Sequence, residues 1–162
     1  MARYHGYTTQ QALAVLDPKT ELIAYGEVEW TQNQGQHNGD VAIADIQLLD
    51  VPALCYRTVL RPKKLSEPTF IVLLGGQHLQ RIDVNGEHEF RQFTHLQQTD
   101  PHNPLHELDA IDLTETFPRV PTTENTISDE LLQLCYRAAA RQFRIDISGV
   151  TWECPPVEGV TS

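Results

Sequence analysis

Hydrophobic and polar residues alternate with a period of two along much of the chain, and this pattern predicts β-strands. The clearest case lies between Glu21 and Thr31, where every second residue falls on one face of a strand. One apolar run without alternation, Phe70–Leu74, predicts a strand that is buried on both faces. Further strands are predicted at Val41–Leu49, Leu54–Arg61, Gln77–Val84, Glu87–Phe93 and Ile145–Cys154.

Two Asn-Gly pairs predict where the chain turns between strands. Asn38–Gly39 closes a polar stretch and is a strong turn signal. Asn85–Gly86 is flanked by two strand patterns and predicts a two-residue type I′ turn. The second turn would place Asp83 opposite His88 and His78 opposite Phe93.

Two segments carry the signals of helices instead. Residues 10–16 are good helix formers that Thr8 or Thr9 caps and that Asp17–Pro18 ends. The stronger pattern runs from Asp129 to Phe143, with Ser128 as N-cap. Its predicted apolar stripe consists of Leu131, Leu134, Cys135, Ala138 and Ala139.

This order of elements predicts an α+β fold that is mostly β. We expect an antiparallel meander, either an open sheet or a small barrel, with a short N-terminal helix, a C-terminal helix packed on the sheet and a final strand. The 162 residues suit a single globular domain over residues 1–154, followed by a flexible tail over 155–162.

The charge balance bears on possible partners. Twelve Lys and Arg stand against 22 Asp and Glu, a formal net charge of -10. An acidic surface repels phosphate backbones and anionic lipids, so neither nucleic acid nor a membrane is an expected partner. Two clusters of basic residues interrupt this acidity. One consists of Arg57, Arg61, Lys63 and Lys64, and the other, on the predicted helix, of Arg137, Arg141 and Arg144. We expect most of these charges to pair with the protein's own carboxylates.

The cysteines and the N-terminus predict a soluble, cytoplasmic protein. Three cysteines, an odd number without a C-x-x-C pair, fit free thiols in a reducing compartment. Residues 1–7 contain no apolar run, so we expect no secretory signal.

Residues 94–127 carry four prolines and predict a long loop, which is a common place for a functional site. Five polar residues of its first part form the candidate ligand or partner surface: His95, Asp100, His102, His106 and Glu107. Histidines four apart bind zinc when a helix places them on one face, but Pro104 lies between His102 and His106. No metal site is therefore predicted; if a metal were bound, these two histidines would be its ligands.

The functional prediction rests on the lack of recognisable catalytic motifs in the sequence. The chain has neither a Gly-x-Ser-x-Gly elbow nor a phosphate-binding loop, and its cysteines suggest no catalytic arrangement. We therefore expect a non-enzymatic binding or protein-interaction module without a cofactor, whose partner is a protein or a small molecule. Two alternatives stay open: a metal-dependent hydrolase that uses the histidine-rich 94–109 loop, and a small-ligand carrier with a β-barrel interior. A homodimer through an exposed edge strand is also open.

Overall fold

The computed structural model describes residues 6–46 and 50–162. Two helices, α1 (Thr9–Leu16) and α2 (Asp129–Phe143), accompany the strands of a large sheet and of a two-stranded one. The strands, in chain order, are β1 (Leu22–Asn33), β2 (Gln36–Ile43), β3 (Leu54–Leu60), β4 (Thr69–Leu74), β5 (Gln77–His88), β6 (Arg91–Asp100), β7 (Asn103–Glu107), β8 (Ile111–Asp112), β9 (Ile127–Ser128), β10 (Ile145–Thr151) and β11 (Val160–Thr161).

The predicted fold class is confirmed, with the sheet open rather than closed into a barrel. Strands β1 to β6 follow one another as an antiparallel meander, and β7 and β8 both pair with β6. After α2 the chain returns to the opposite edge, where β10 pairs with β1 in parallel. The barrel interior that a small-ligand carrier would use is therefore not formed. Neither described helix is long and apolar enough to cross a membrane.

Helix α2 has the predicted bounds, but its buried stripe is rotated from the predicted one. Ser128 caps the helix, since its Oγ accepts a hydrogen bond from the Leu131 backbone N–H at 3.1 Å. Leu134, predicted to be buried, is 42% exposed. The helix instead turns its aromatic residues toward the sheet, because their rings fill more of the core than Leu134 would. The residues that it buries are Leu132, Cys135, Tyr136, Ala139, Ala140 and Phe143.

The first predicted turn lies elsewhere. Asn38–Gly39 is inside β2, and the chain reverses at Gln34–Gly35, where both residues have positive φ (49° and 78°). Gly39 is needed for a different reason. A Cβ atom at that position would lie 2.8 Å from the ring of Trp30 on the neighbouring strand.

The second Asn-Gly prediction is wrong in the same way. Asn85 has a φ of 53° and forms an irregularity within β5, while the turn lies at Glu89–Phe90. Asp83 accordingly lies opposite His95 rather than His88, and His78 does not pair with Phe93. The observed register places Ile82 opposite Leu96 on the core side of the sheet, so burial of these two side chains outweighs the local turn signal.

The predicted 94–127 loop is also largely structured. Its first half contains the end of β6, a turn at residues 101–102, and β7 and β8. Pro101 lies in the turn and Pro104 in an edge strand, positions that proline tolerates within a sheet. The second half is held by the buried side chains of Leu113, Phe117 and Val120.

The segment 155–162, predicted as a flexible tail, makes contacts with the rest of the domain. Val157 is buried, and β11 pairs with β9 in parallel. The Ile127 backbone N–H donates to the Gly159 carbonyl at 3.1 Å. The mobility of this segment and the single-domain assignment stay predictions.

Candidate functional site

Of the five residues predicted to form a site, four lie together on one hairpin and the fifth, His95, is buried. His95 lies on β6 and is 1% exposed. Its Nδ1 donates to the Phe93 carbonyl at 2.8 Å, and its Nε2 lies 3.5 Å from a carboxylate oxygen of Asp83. His95 is therefore a hydrogen-bonded histidine of the sheet interior rather than part of a surface site.

The other four predicted residues lie along the β6–β7 hairpin. Asp100 accepts a hydrogen bond from the His102 backbone N–H at 2.9 Å, which stabilises the turn. The side chains of His102 and His106 are exposed, and Glu107 pairs with Arg81 at 2.7 Å. Among residues 6–46 and 50–162, no three His, Cys, Asp or Glu side chains are placed to hold a metal ion. The hydrolase alternative therefore lacks a metal centre in the described structure.

Sequence reasoning missed a polar network on the sheet face that points away from α2. Tyr56 stacks on Tyr136 of α2, so its neighbour Arg57 points to the other face. There Arg57 forms a bidentate pair with Asp40 on the adjacent strand, with N–O distances of 2.8 and 2.9 Å. Hydrogen bonding to Asp40 raises the pKa of Arg57. Among the basic residues of the two predicted clusters, Arg57 is the one that forms an ion pair with a carboxylate of the described residues.

Arg81 is the centre of the rest of this network. It donates to Asp83 at 2.9 Å, to Glu107 at 2.7 Å and to Gln97 at 2.6 Å, and so joins β5, β6 and β7. We call Arg81 with these three partners, together with the Arg57–Asp40 pair, the sheet-face network. Each of its guanidinium groups has a carboxylate partner within the protein, which is the arrangement expected of a structural network.

The cysteine thiols of the domain interior are poor nucleophiles. Burial, reinforced by the nearby charge of Asp40, raises the pKa of Cys55 to about 12. Burial alone raises the pKa of Cys135 on α2 to about 12. Since the thiolate is the reactive form, both side chains are unreactive near neutral pH.

A groove between α2 and β10 is the strongest candidate site. Its volume is about 700 Å³, which is within the usual range for ligand sites. Apolar side chains make up most of its surface, and two arginines on α2 line it. We call it the α2–β10 groove; it is lined by Gln133, Tyr136, Arg137, Ala140, Arg141, Ile145, Asp146, Ile147, Ser148, Val150 and Trp152.

The choice of residues that α2 buries determines where these arginines lie. Tyr136 and Ala140 point into the core, so Arg137 and Arg141, each one residue further on, lie at the margin of the buried stripe. The two are four residues apart and therefore share one side of the helix, with a rise of roughly 6 Å between them. Within the described part of the chain, neither guanidinium forms an ion pair or a hydrogen bond with another side chain. These charges depart from the prediction of internal pairing.

Trp152 forms a fixed part of the groove. Its indole N–H donates to a carboxylate oxygen of Asp129 at 2.9 Å, and its ring centroid lies 4.8 Å from that of Tyr136. Trp30 packs against it edge-on at 5.9 Å. Because the ring is held on several sides, the groove is formed before any ligand arrives.

The groove also lies beside the more accessible edge of the sheet. At the other edge, two short strands share β6, and β7 contains Pro104, which lacks an N–H. Such features block the addition of a further strand. Strand β10 contains no proline and pairs, among the described residues, with β1 alone. Its one irregularity is a bulge, where the Asp146 carboxylate accepts the Ser148 backbone N–H at 2.9 Å.

Only part of this site had a signal in the sequence. The spacing of Arg137 and Arg141 places them on one side of a helix, but the groove depends on β10 returning next to β1, which no local pattern specifies. Comparisons with protein-family models, with curated proteins and with solved structures found no match for this chain. The geometry of the groove is therefore the basis for a functional proposal.

Proposed function

We propose that this chain is a non-enzymatic binding module whose α2–β10 groove receives an acidic segment of a protein. The observation that carries the proposal is the pair Arg137 and Arg141, which lack carboxylate partners in the described structure and line an apolar groove. Arginine beside apolar and aromatic surface is a common composition at the centre of protein interfaces.

The chemistry of the groove favours binding over catalysis. The side chains that line it carry two hydroxyls, on Tyr136 and Ser148, and one carboxylate, on Asp146. Burial raises the pKa of Tyr136, which keeps its phenol protonated near neutral pH. The hydrogen bond from the Ser148 backbone lowers the pKa of Asp146, which makes this carboxylate a weak base. A nucleophile activated by an adjacent base is the usual requirement for covalent catalysis, and these three groups do not supply it.

We further expect the protein to act in a reducing compartment such as the cytoplasm. All three cysteines are free thiols, and Cys154 is exposed. An exposed free thiol is readily oxidised to a disulfide outside reducing compartments. This feature supports the expected location independently of the groove.

A random peptide library displayed on phage, selected against the immobilised protein, tests the proposal. We expect enriched peptides to be acidic and to carry aromatic or aliphatic residues. They should bind the R137E/R141E variant at least tenfold more weakly, because the reversed charges repel an acidic ligand. K63E/K64E is the matched control, since it changes the net charge equally at an exposed loop outside the groove.

Two results would contradict the proposal. One is a selection that enriches no peptide against the folded protein. The other is a set of peptides that R137E/R141E and K63E/K64E weaken to the same extent, which would indicate attraction to overall charge rather than a site in the groove. Thermal unfolding of both variants checks that each is folded.

A further inference from the structure

The β5–β6 hairpin ends in a protruding tip. Strand β4 pairs with β5 only as far as Asp83, and β8 pairs with β6 only from His95 onward. Residues 86–93 therefore pair only with each other in the sheet. At the end of this arm lies Phe90, which is fully exposed (101%).

Phe90 is an unusual residue for this position. Both turn residues, Glu89 and Phe90, have positive φ (49° and 67°), a conformation in which asparagine and glycine are strongly preferred. A bulky side chain is strained there, and this one contributes nothing to the core. Neither the turn nor the packing of the domain explains an aromatic ring at the tip, whereas a binding contact would.

The chemistry of the tip complements that of the groove. Phe90 is accompanied by Glu87 and Glu89, which are also exposed. Glu87 lies in the last part of β5 and Glu89 in the turn, so both carboxylates are at the end of the arm beside Phe90. The tip thus offers two carboxylates and a ring where the groove offers two guanidinium groups and an apolar surface.

We infer that the hairpin tip of one copy of this protein occupies the α2–β10 groove of another. This inference rests on the proposed function and identifies the acidic segment as part of the same chain. Phe90 enters the apolar part of the groove beside Trp152, and the two glutamates pair with Arg137 and Arg141.

The contact has to form between molecules. Strand β10 lies at one edge of the sheet and is separated from β5 by four intervening strands. Phe90 is fully exposed, so the tip does not occupy the groove of its own molecule. Since the tip and the groove are different surfaces, the interface is heterologous, and repeated association builds a ring or an open chain rather than an isologous dimer.

Sedimentation velocity over a concentration series tests this assembly. The wild-type mass should rise with concentration, either without limit or to a fixed ring size. Phe90→Ala should weaken association about 30-fold or more, the loss expected for an anchoring aromatic residue. R137E/R141E should be monomeric under the same conditions, while K63E/K64E should assemble as the wild type does.

Mixing the two defective variants gives the sharper result. Phe90→Ala keeps an intact groove, and R137E/R141E keeps an intact tip, so an equimolar mixture should form a heterodimer that does not grow further. Assembly that neither variant weakens would overturn the inference, and so would a mixture that stays monomeric while the wild type assembles.

A wild-type protein that is monomeric at its highest soluble concentration would also overturn the inference. The proposed function would then stand if selected library peptides still depend on Arg137 and Arg141, and the occupant would be a segment of another protein. If the protein neither binds peptides nor assembles, both proposals fail. Circular dichroism of each variant separates loss of association from loss of folding.

Discussion

The arginines of the sheet face and those of helix α2 differ in how the protein satisfies them. Arg57 and Arg81 together contact three carboxylates and an amide on the same sheet. Arg137 and Arg141 have no such partner within the described residues and line a groove. Both α2 side chains are exposed, so water can solvate their charges. The first pair of arginines therefore supports the fold, and the second is the basis of the proposed binding function.

The largest stability effect is expected at Arg81. Arg81→Met removes the donors for Asp83, Glu107 and Gln97, and should lower the free energy of unfolding by about 2 kcal/mol. The partial exposure of these groups keeps the loss below that of a buried pair. Urea unfolding monitored by circular dichroism measures it.

Arg91→Met is the matched control for this prediction. Arg91 pairs with Asp112 at 2.7 Å, but both side chains are about half exposed or more. Its removal should cost no more than about 0.5 kcal/mol. Equal losses for Arg81 and Arg91 would mean that the sheet-face network does not stabilise the fold as a unit.

The arginines of α2, by contrast, should contribute little to the free energy of unfolding. Arg137→Met and Arg141→Met keep the apolar stem of each side chain and remove a charge without an internal partner. We expect each to leave the free energy of unfolding within about 0.5 kcal/mol of the wild type. Thermal and urea unfolding measure this. A loss of about 1 kcal/mol or more would show that the guanidinium has a stabilising role within the domain, which would remove the contrast between the two sets.

The sequence predicted the elements of the fold better than their register. Strand positions and the limits of α2 follow from local patterns of burial and capping. The two Asn-Gly pairs misled because glycine serves close packing as well as turns: Gly39 leaves room for Trp30, and Gly86 lies beside Asp83. The actual turns, at Gln34–Gly35 and Glu89–Phe90, are fixed by which strand residues the core buries.

The functional residues were predicted less well, for a related reason. The histidines at positions 95, 102 and 106 are close in sequence, but β6 buries His95, whereas the turn and the edge strand β7 expose His102 and His106. The α2–β10 groove joins residues of a helix and of a strand whose partner, β1, is more than a hundred residues away. Local spacing identified the arginines on one side of α2, whereas the surface opposite them depends on the topology of the sheet.

The smallest effect, and the most specific to the sheet-face network, is expected at His78. Partial burial lowers its pKa, and the positive charges of Arg81 and Arg57 lower it further, against the opposing influence of Asp83 and Glu107. Arg81→Met should therefore raise the pKa of His78 in an NMR titration. Arg137→Met, which removes a charge from α2 rather than from the network, should leave it unchanged.

The same pKa shift has a defined consequence for stability. The unfolded chain binds a proton at His78 more tightly than the folded protein does, so stability falls as pH drops from about 6.5 toward the lower folded pKa. Well above pH 6.5 the histidine is neutral in both states and the penalty is absent. His78→Gln should remove this part of the pH dependence, which is about a few tenths of a kcal/mol because the side chain is only partly buried. If the variant shows the same slope as the wild type between pH 6.5 and 5, neither burial nor the charges of Arg81 and Arg57 shift the pKa of His78.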